Sequence, residues 1–219
     1  AMADRVPATI GKYRIERELG RGASGVVYLG LDGLRGRKVA VKQMHAHLLA
    51  EPAQAARHRR QLQSEAALAA RLRHPNIVRL LDADESATPP YLVFEYLSGR
   101  PLSDHASADT LLPVAQVLDI AFKCGHALEY AERQGLVHRD IKPANLLLAD
   151  DGEVKLVDFG AALSTQSEAT QLAGLVGSPS YMSPEQVREE TLTHHSDMFS
   201  LGVVVYELLT GRRPFDGET

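Results

Sequence analysis

The most informative stretch of the chain is Val137-His138-Arg139-Asp140-Ile141-Lys142-Pro143-Ala144-Asn145. An apolar segment with the pattern of a strand pair follows it, and Val157-Asp158-Phe159-Gly160 comes directly after that segment. Both motifs carry side chains that can hold a metal ion or move a proton. They are therefore the first candidates for a functional site.

A glycine motif lies near the start of the chain. Gly20-Arg21-Gly22-Ala23-Ser24-Gly25 matches G-x-G-x-x-G, a pattern that several unrelated nucleotide sites and many plain turns share. A dinucleotide-binding fold needs a strand, then the glycines, then a helix, whereas Val26-Val27-Tyr28 favours a second strand. The glycines are therefore predicted in a hairpin between strands, where backbone N–H groups can cover phosphates.

Val39-Ala40-Val41-Lys42 places a lysine at the end of an apolar strand. A buried ammonium group needs an acidic partner, and Glu65, in a predicted helix, is the candidate; a polyanion such as ATP would be another partner. Taken alone, these two residues favour an ordinary surface lysine and glutamate.

Together, these motifs resemble those of protein kinases. His138–Asn145 is similar to the H-R-D-x-K-P-x-N catalytic loop and Asp158–Gly160 to the D-F-G turn, and the glycine hairpin and Val39–Lys42 occur in the family's order. Ser183-Pro184-Glu185 stands where the family usually has A-P-E. The resemblance spans Tyr13 to Phe215 and is greatest to bacterial Hanks-type serine/threonine kinases.

The resemblance implies an α+β fold with two lobes. Residues 13–97 would form an N-lobe with a five-stranded antiparallel sheet and one helix, αC, over Pro52–Leu72. Residues 98–219 would form a mainly α-helical C-lobe, with helices at Pro113–Arg133 and Ser196–Thr210.

We expect the ends of the chain to differ from a whole kinase domain. Residues 1–12 would be an extension, in which Ala1-Met2 resembles a tag-cleavage remnant. Kinases usually continue for several helices beyond the Arg213–Thr219 segment, so the C-lobe is expected to be C-terminally incomplete. The Asn76–Asp82 and Tyr91–Leu97 segments are predicted as the last strand pair of the N-lobe.

The resemblance implies how nucleotide and metal would be bound. Lys42, paired with Glu65, would hold the α- and β-phosphates of ATP, while Asn145 and Asp158 would bind Mg²⁺, with Mn²⁺ as an alternative. The remaining nucleotide contacts would come from the glycine hairpin, the sheet, the hinge and one C-lobe strand: Gly20, Gly22, Gly25, Val27, Ala40, Glu95, Leu97 and Leu147.

The resemblance also implies the catalytic roles. Asp140 would accept or orient the proton of the substrate hydroxyl, with Ser178 in contact with it, and Lys142 would contact the γ-phosphate. Asp197 would support the catalytic loop, and His138 would pack against Phe159.

Regulation would involve Arg139, because in the family such an arginine often pairs with a phosphorylated residue of the activation segment. Thr170 is the leading candidate for that residue, with Ser164, Thr165 and Ser167 as rivals. The resemblance thus predicts autophosphorylation at Thr170 or a neighbour.

Composition narrows the class of protein. With 24 Lys and Arg against 28 Asp and Glu, the net charge is −4, which gives no general attraction to nucleic acid. The single cysteine, Cys124, excludes a disulfide within the chain, fits a reducing cytoplasmic setting and is expected to be buried.

No segment reaches the roughly 20 apolar residues of a membrane helix, although an anchor elsewhere in a longer protein stays open. His45-x-His47 lacks a metal partner at finger-like spacing and is expected to be solvated or locally hydrogen-bonded.

The predicted function is transfer of the γ-phosphoryl group from ATP to serine or threonine of protein substrates. Self-association and a cognate phosphatase are further possible partners. Two alternatives remain open: a nucleotide-binding pseudokinase that acts as a scaffold, and a small-molecule phosphotransferase. The long Asp158–Glu185 segment favours a protein substrate over a small molecule.

Overall fold

A computed structural model of the chain describes residues 6–160, 162–164 and 178–215. The chain divides into two compact units. The first contains the residues up to Ala70 together with Arg79–Tyr96, and the second contains Arg71–Val78 and the residues from Leu97 onward. The predicted boundary after residue 97 differs from this division in assigning residues 71–78 and Leu97 to the first lobe.

The first unit consists of one sheet and one long helix. Its elements are β1 (Thr9–Ile10), β2 (Tyr13–Arg21), β3 (Gly25–Asp32), β4 (Arg37–Met44), α1 (Pro52–Arg71), β5 (Leu80–Asp84) and β6 (Tyr91–Glu95). A 3₁₀ turn, Ala46–Leu49, lies between β4 and α1.

The sheet of the first unit has six antiparallel strands in the order β1-β2-β3-β4-β6-β5 within the described residues, rather than the predicted five. The additional strand is β1, in which Ile10 pairs with Tyr13 and both side chains are buried. Gly11, with φ +54°, makes the tight turn between β1 and β2. A strand of two residues is too short to show alternation, so the sequence pattern could not indicate it.

Alternation along β4 separates the two faces of the sheet. Val39 and Val41 are fully buried in a core with Val93 of β6, whereas Ala40 and Lys42 point to the opposite face. On α1, the buried residues Leu62, Glu65, Ala66 and Ala69 follow helical spacing.

The apolar run Asn76–Asp82, predicted as one strand, is divided between the two units. Residues 76–78 follow the second unit: the Val78 N–H donates to the Leu156 carbonyl at 2.9 Å, and the Asn76 side chain donates to the Val154 carbonyl at 2.8 Å. The strand itself, β5, begins only at Leu80. The sequence shows the apolar run but not which neighbour each half pairs with.

The second unit contains the remaining elements. They are β7 (Gly99–Pro101), α2 (Val114–Arg133), β8 (Leu136–Val137), β9 (Leu146–Ala149), β10 (Val154–Leu156), β11 (Leu163–Ser164), α3 (Pro184–Val187) and α4 (His194–Thr210). Short 3₁₀ turns lie at Leu102–His105, Pro143–Asn145 and Pro179–Tyr181.

The core of the second unit forms where α2 and α4 pack together. Cys124 lies fully buried on the inner face of α2, and burial raises the pKa of its thiol to about 12. Helix α4 begins at His194, two residues before the predicted start, because the Thr193 hydroxyl accepts a hydrogen bond from the His195 N–H. It ends at Thr210, and Gly211, with φ +70°, caps its C-terminus.

The described part of the chain has no helix that combines the length and the apolar character needed to span a membrane.

Candidate active site

In the first unit, Lys42 and Glu65 form an ion pair. The Lys42 Nζ lies 2.7 Å from the Glu65 Oε1, and only 14% and 6% of the two side chains are exposed. Lys42 lies in strand β4, two residues before its end at Met44, and Glu65 lies on the buried face of α1. Opposite charges this far removed from water stabilise each other.

The same sheet face carries other predicted nucleotide-binding residues. Val27 of β3 lies directly opposite Lys42 in the ladder, and Ala40 is two residues before Lys42 on the same strand. Because strand side chains alternate with a period of two, Val27, Ala40 and Lys42 share one face of the sheet. A charged group therefore adjoins small apolar side chains on one surface.

The glycine motif lies in the hairpin between β2 and β3, and its glycines have different structural needs. A side chain on Gly25 would meet the Gln43 carbonyl oxygen at 2.2 Å, so packing requires glycine there. An added Cβ at Gly20 or Gly22 would meet nothing within 4 Å. The fold of the first unit therefore explains Gly25 but gives no packing reason for Gly20 or Gly22.

The predicted hinge and adenine-contact residues are distributed over both units. Glu95 ends β6 in the first unit, where its carboxylate accepts the Arg79 N–H at 2.9 Å. Leu97 begins the second segment of the second unit, and Leu147 lies in β9 opposite Lys155 of β10.

In the second unit, donors surround the carboxylate of Asp140. The Lys142 Nζ lies 2.8 Å from its Oδ2, and the Asn145 side-chain nitrogen donates to the same oxygen at 3.0 Å. The Ser178 N–H donates to the other oxygen, Oδ1, at 3.1 Å, and Lys142 also donates to the Ser178 hydroxyl at 2.9 Å. The predicted contact between Ser178 and Asp140 is thus confirmed, and Asp140, Lys142 and Asn145 form one cluster.

Asp197 holds the backbone of the catalytic loop. Its two oxygens accept the N–H groups of His138 at 2.7 Å and Arg139 at 2.8 Å, so the predicted support is confirmed. Burial raises the pKa of Asp197, and the two N–H donors partly oppose that rise. Arg139 has φ +72°, a conformation that a long side chain rarely adopts and that these hydrogen bonds stabilise.

Asp158 also has a positive φ, +62°, and its carboxylate accepts the Gly160 N–H at 3.2 Å. The next residue, Phe159, is buried, and its ring centroid lies 4.9 Å from that of His138, as predicted. The Val157 N–H donates to the Asn145 carbonyl at 2.9 Å, so backbone pairing brings the residue before Asp158 to Asn145.

The donor atoms of Asn145 and Asp158 suit a hard divalent cation. An amide oxygen and a carboxylate oxygen are ligands that Mg²⁺ prefers. The Asn145 nitrogen donates to Asp140, which turns the amide oxygen away from that carboxylate. Within the described residues no cluster of three or more His, Cys, Asp or Glu side chains has a metal-site arrangement.

Of the predicted regulatory residues, Arg139 is described. Burial lowers the pKa of its guanidinium, and Asp197 opposes this effect. Thr170, Thr165 and Ser167 lie outside the described residues. The backbone of Ser164 pairs with Leu136 in the ladder of β11 and β8.

Sequence reasoning missed Gln186. Its buried side chain donates to the Arg139 carbonyl at 2.8 Å and so ties the loop to α3. The Ser183 hydroxyl caps α3 by accepting the Gln186 N–H at 3.2 Å, which accounts for a serine in the Ser183-Pro184-Glu185 motif. Glu185 accepts a hydrogen bond from Ser196 at 2.7 Å. The position of Gln186 directly after that motif was the only available signal.

These arrangements are those of a protein kinase domain. The protein kinase domain family matches residues 13–219, and the chain therefore belongs to this family. The predicted α+β kinase fold is confirmed. Members of the family use ATP and a divalent metal ion.

Several curated bacterial proteins are similar to the chain. A probable serine/threonine-protein kinase PknB of Bifidobacterium longum is 38% identical over the whole chain and 33% of its own length. A probable serine/threonine-protein kinase of Streptomyces coelicolor is 41% identical, covering 95% of the chain and 32% of the relative. Serine/threonine-protein kinase PknB of Mycobacterium leprae is 37% identical over 97% of the chain and 35% of its own length. The chain thus spans about a third of the length of the relatives it matches.

Proposed function

We propose that the chain is the catalytic part of a serine/threonine protein kinase that transfers the γ-phosphoryl group of Mg-ATP to protein hydroxyls. The observation that carries this proposal is the cluster around Asp140, in which Lys142, Asn145 and Ser178 all donate to one carboxylate. A carboxylate held as a hydrogen-bond acceptor is suited to orient a substrate hydroxyl and to take its proton.

The proposal assigns nucleotide binding to named groups. In the first unit, Lys42 would contact the α- and β-phosphates, and the N–H groups near Gly20 and Gly22 would cover them. The absence of any packing need for those two glycines supports this role, because glycine also permits close approach of backbone to a ligand. Gly25, Val27, Ala40, Glu95, Leu97 and Leu147 would complete the nucleotide contacts.

The metal would be held by Asn145 and Asp158, with Mg²⁺ preferred and Mn²⁺ as an alternative. A bound divalent ion neutralises charge on the phosphates. Lys142 would add a positive charge at the γ-phosphate during transfer, where negative charge must be stabilised.

The wider proposals follow the family and the relatives' names. The acceptor would be serine or threonine, the first and second units would be the N-lobe and the C-lobe, and the kinase segment would act in the cytoplasm. The Arg139 side chain would bind the phosphate group of a phosphorylated Thr170 or of a neighbouring phosphorylated residue. A second copy of the chain and a cognate phosphatase would be regulatory partners.

The decisive experiment compares the chain with Asp140→Asn in transfer of ³²P from [γ-³²P]ATP to itself and to a generic protein. We expect transfer to fall by about 100-fold or more, because a positioned base typically contributes that factor. Asp109→Asn, which changes an exposed aspartate of the second unit, is the matched control and should label like the unmodified chain.

Nucleotide binding measured on the same samples separates the alternatives. Equal labelling of the unmodified chain and Asp140→Asn would refute the proposal. Binding of Mg-ADP without labelling of any sample would instead identify a nucleotide-binding scaffold.

A further inference from the structure

His45 connects the end of β4 to the glycine hairpin. Its ring Nε2 lies 2.8 Å from the Gly22 carbonyl oxygen, and its backbone N–H donates to the Ser24 carbonyl at 3.2 Å. All three residues lie in the first unit. A single residue outside the glycine motif thus contacts both sides of its tip.

The acceptor determines which ring nitrogen carries the proton. A carbonyl oxygen can only accept a hydrogen bond, so the His45 Nε2 must be the N–H donor. The ring keeps this donor whether the imidazole is neutral or protonated. The hydrogen bond therefore does not require one particular charge state of His45.

The ring of His45 is itself supported by His47. The two rings stack with centroids 5.0 Å apart and planes inclined by 26°. The described residues contain no group of three or more potential metal ligands, so the two histidines do not form part of such a cluster. His47 has the geometry of a packing partner for the ring that holds the hairpin.

Other contacts at the hairpin tip are local. The Gly22 N–H donates to the Gly25 carbonyl at 2.9 Å, within the hairpin itself. Arg21 bonds to Glu18 at 2.9 Å, and both residues belong to one strand, β2. Among the described contacts of Gly22, the bond from His45 is the one that anchors its carbonyl to the neighbouring strand end.

We infer that His45 is a positioning residue for nucleotide binding, which it supports by holding the glycine hairpin in the conformation that covers the phosphates. This inference rests on the proposed function, because it is the proposed function that assigns phosphate binding to the hairpin. A hairpin held before the nucleotide arrives loses less conformational freedom on binding. His45 acts through Gly22 and Ser24 and need not touch the nucleotide.

The test uses four variants of the chain and Mg-ADP as the probe in isothermal titration calorimetry. His45→Phe keeps a ring that can stack on His47 but has no donor. His45→Gln places an amide N–H near the position of Nε2, whereas His45→Asn places one near Nδ1. His47→Ala removes the stacking partner and leaves the donor in place.

We expect His45→Phe and His45→Asn to weaken Mg-ADP binding about fivefold, the size of one lost hydrogen bond. His45→Gln should restore affinity to within about twofold, and His47→Ala should remain within about twofold. Amide hydrogen exchange of residues 20–25 in the nucleotide-free chain should accelerate in the same two weakened variants. With ATP as substrate, KM should rise with little change in kcat, because the lost interaction serves ground state and transition state alike.

The outcomes distinguish this inference from the proposed function. If the unmodified chain fails to bind Mg-ADP, the nucleotide-binding role fails, and the inference fails with it. If the unmodified chain binds but His45→Phe binds equally well, or if exchange of residues 20–25 is unchanged, the positioning role is refuted while the proposed function stands. Equal weakening by His45→Gln and His45→Phe would also refute it, because the donor would then be irrelevant.

Discussion

At the scale of single residues, the site depends on charged groups that are held by ion pairs and hydrogen bonds. The Lys42–Glu65 pair is almost fully removed from solvent, whereas the carboxylate of Asp140 is contacted by donor groups of three residues. Buried charges of this kind are stabilising only together, since each partner alone has lost its hydration.

We therefore predict energetic coupling between Lys42 and Glu65. Glu65→Gln should lower the free energy of unfolding by about 2 kcal/mol, in the range of a hydrogen bond to a charged group. Lys42→Met should be destabilising as well, and the double variant should lose less than the sum of the two single variants. Urea unfolding of the four proteins measures the coupling.

The matched control is Glu51→Gln, which removes an exposed carboxylate next to α1 and should change stability by less than about 0.5 kcal/mol. Strict additivity of Lys42→Met and Glu65→Gln would show that the ion pair contributes nothing to the fold.

At the scale of elements, the inner face of α2 is fully buried in the second unit. Val117, Ile120, Cys124 and Ala127 are at most 1% exposed and recur at helical spacing. Cys124 is the only cysteine of the chain, so its thiol reports on this helix alone.

We predict that Cys124 is inert in the folded chain. Burial raises the thiol pKa from 9.0 to about 12, so at pH 8 the thiolate fraction is about 1,000-fold smaller than for an ordinary thiol. Reaction with Ellman's reagent should be slow in buffer and rapid in urea. Fast modification of the folded chain would contradict the buried position of Cys124 on α2.

The raised pKa of the Cys124 thiol also makes the stability of the chain depend on pH. The folded state holds this proton more tightly than the unfolded chain, so stability falls as the pH rises from about 9 through about 12. Replacing Cys124 by alanine should make the loss of stability above about pH 9 smaller. A loss of stability as large as that of the unmodified chain would show that other groups cause it.

At the scale of the whole molecule, the proposed nucleotide contacts come from residues of both units. Lys42 belongs to the first unit, and Asn145 and Asp158 belong to the second. A ligand that binds only the folded chain raises its stability by an amount set by concentration and affinity.

We therefore predict that Mg-ADP raises the Tm of the chain and that the rise depends on both units. At 100 times the dissociation constant, the stabilisation is about 2.7 kcal/mol. Chelation of magnesium by EDTA should reduce the shift, and Asp158→Asn should make the remaining shift independent of magnesium. Asp151→Asn, at an exposed turn position, is the control and should behave like the unmodified chain.

A magnesium-dependent shift that survives Asp158→Asn unchanged would contradict the assignment of Asp158 as a metal ligand. Loss of the shift in Lys42→Met would support a phosphate contact from the first unit, whereas a full shift in that variant would oppose it.

Local patterns in the sequence were enough to predict the kinase family and most elements. Helix α1 was predicted at Pro52–Leu72 and observed at Pro52–Arg71, and the glycine motif was predicted correctly in a hairpin. Helical periodicity, strand alternation and sequence motifs extend over short stretches of residues. They can therefore be recognised in the sequence before the tertiary structure is known. The two-residue strand β1 lacks such a span and was missed.

Tertiary structure decided the contacts that the sequence motifs do not predict. The Gln186 side chain donates to the Arg139 carbonyl, 47 positions away in the chain. The same holds for the bond of His45 to Gly22 and for the division of residues 76–82 between two units. Such contacts arise when packing brings separate elements together, and a linear pattern records the residues but not their neighbours.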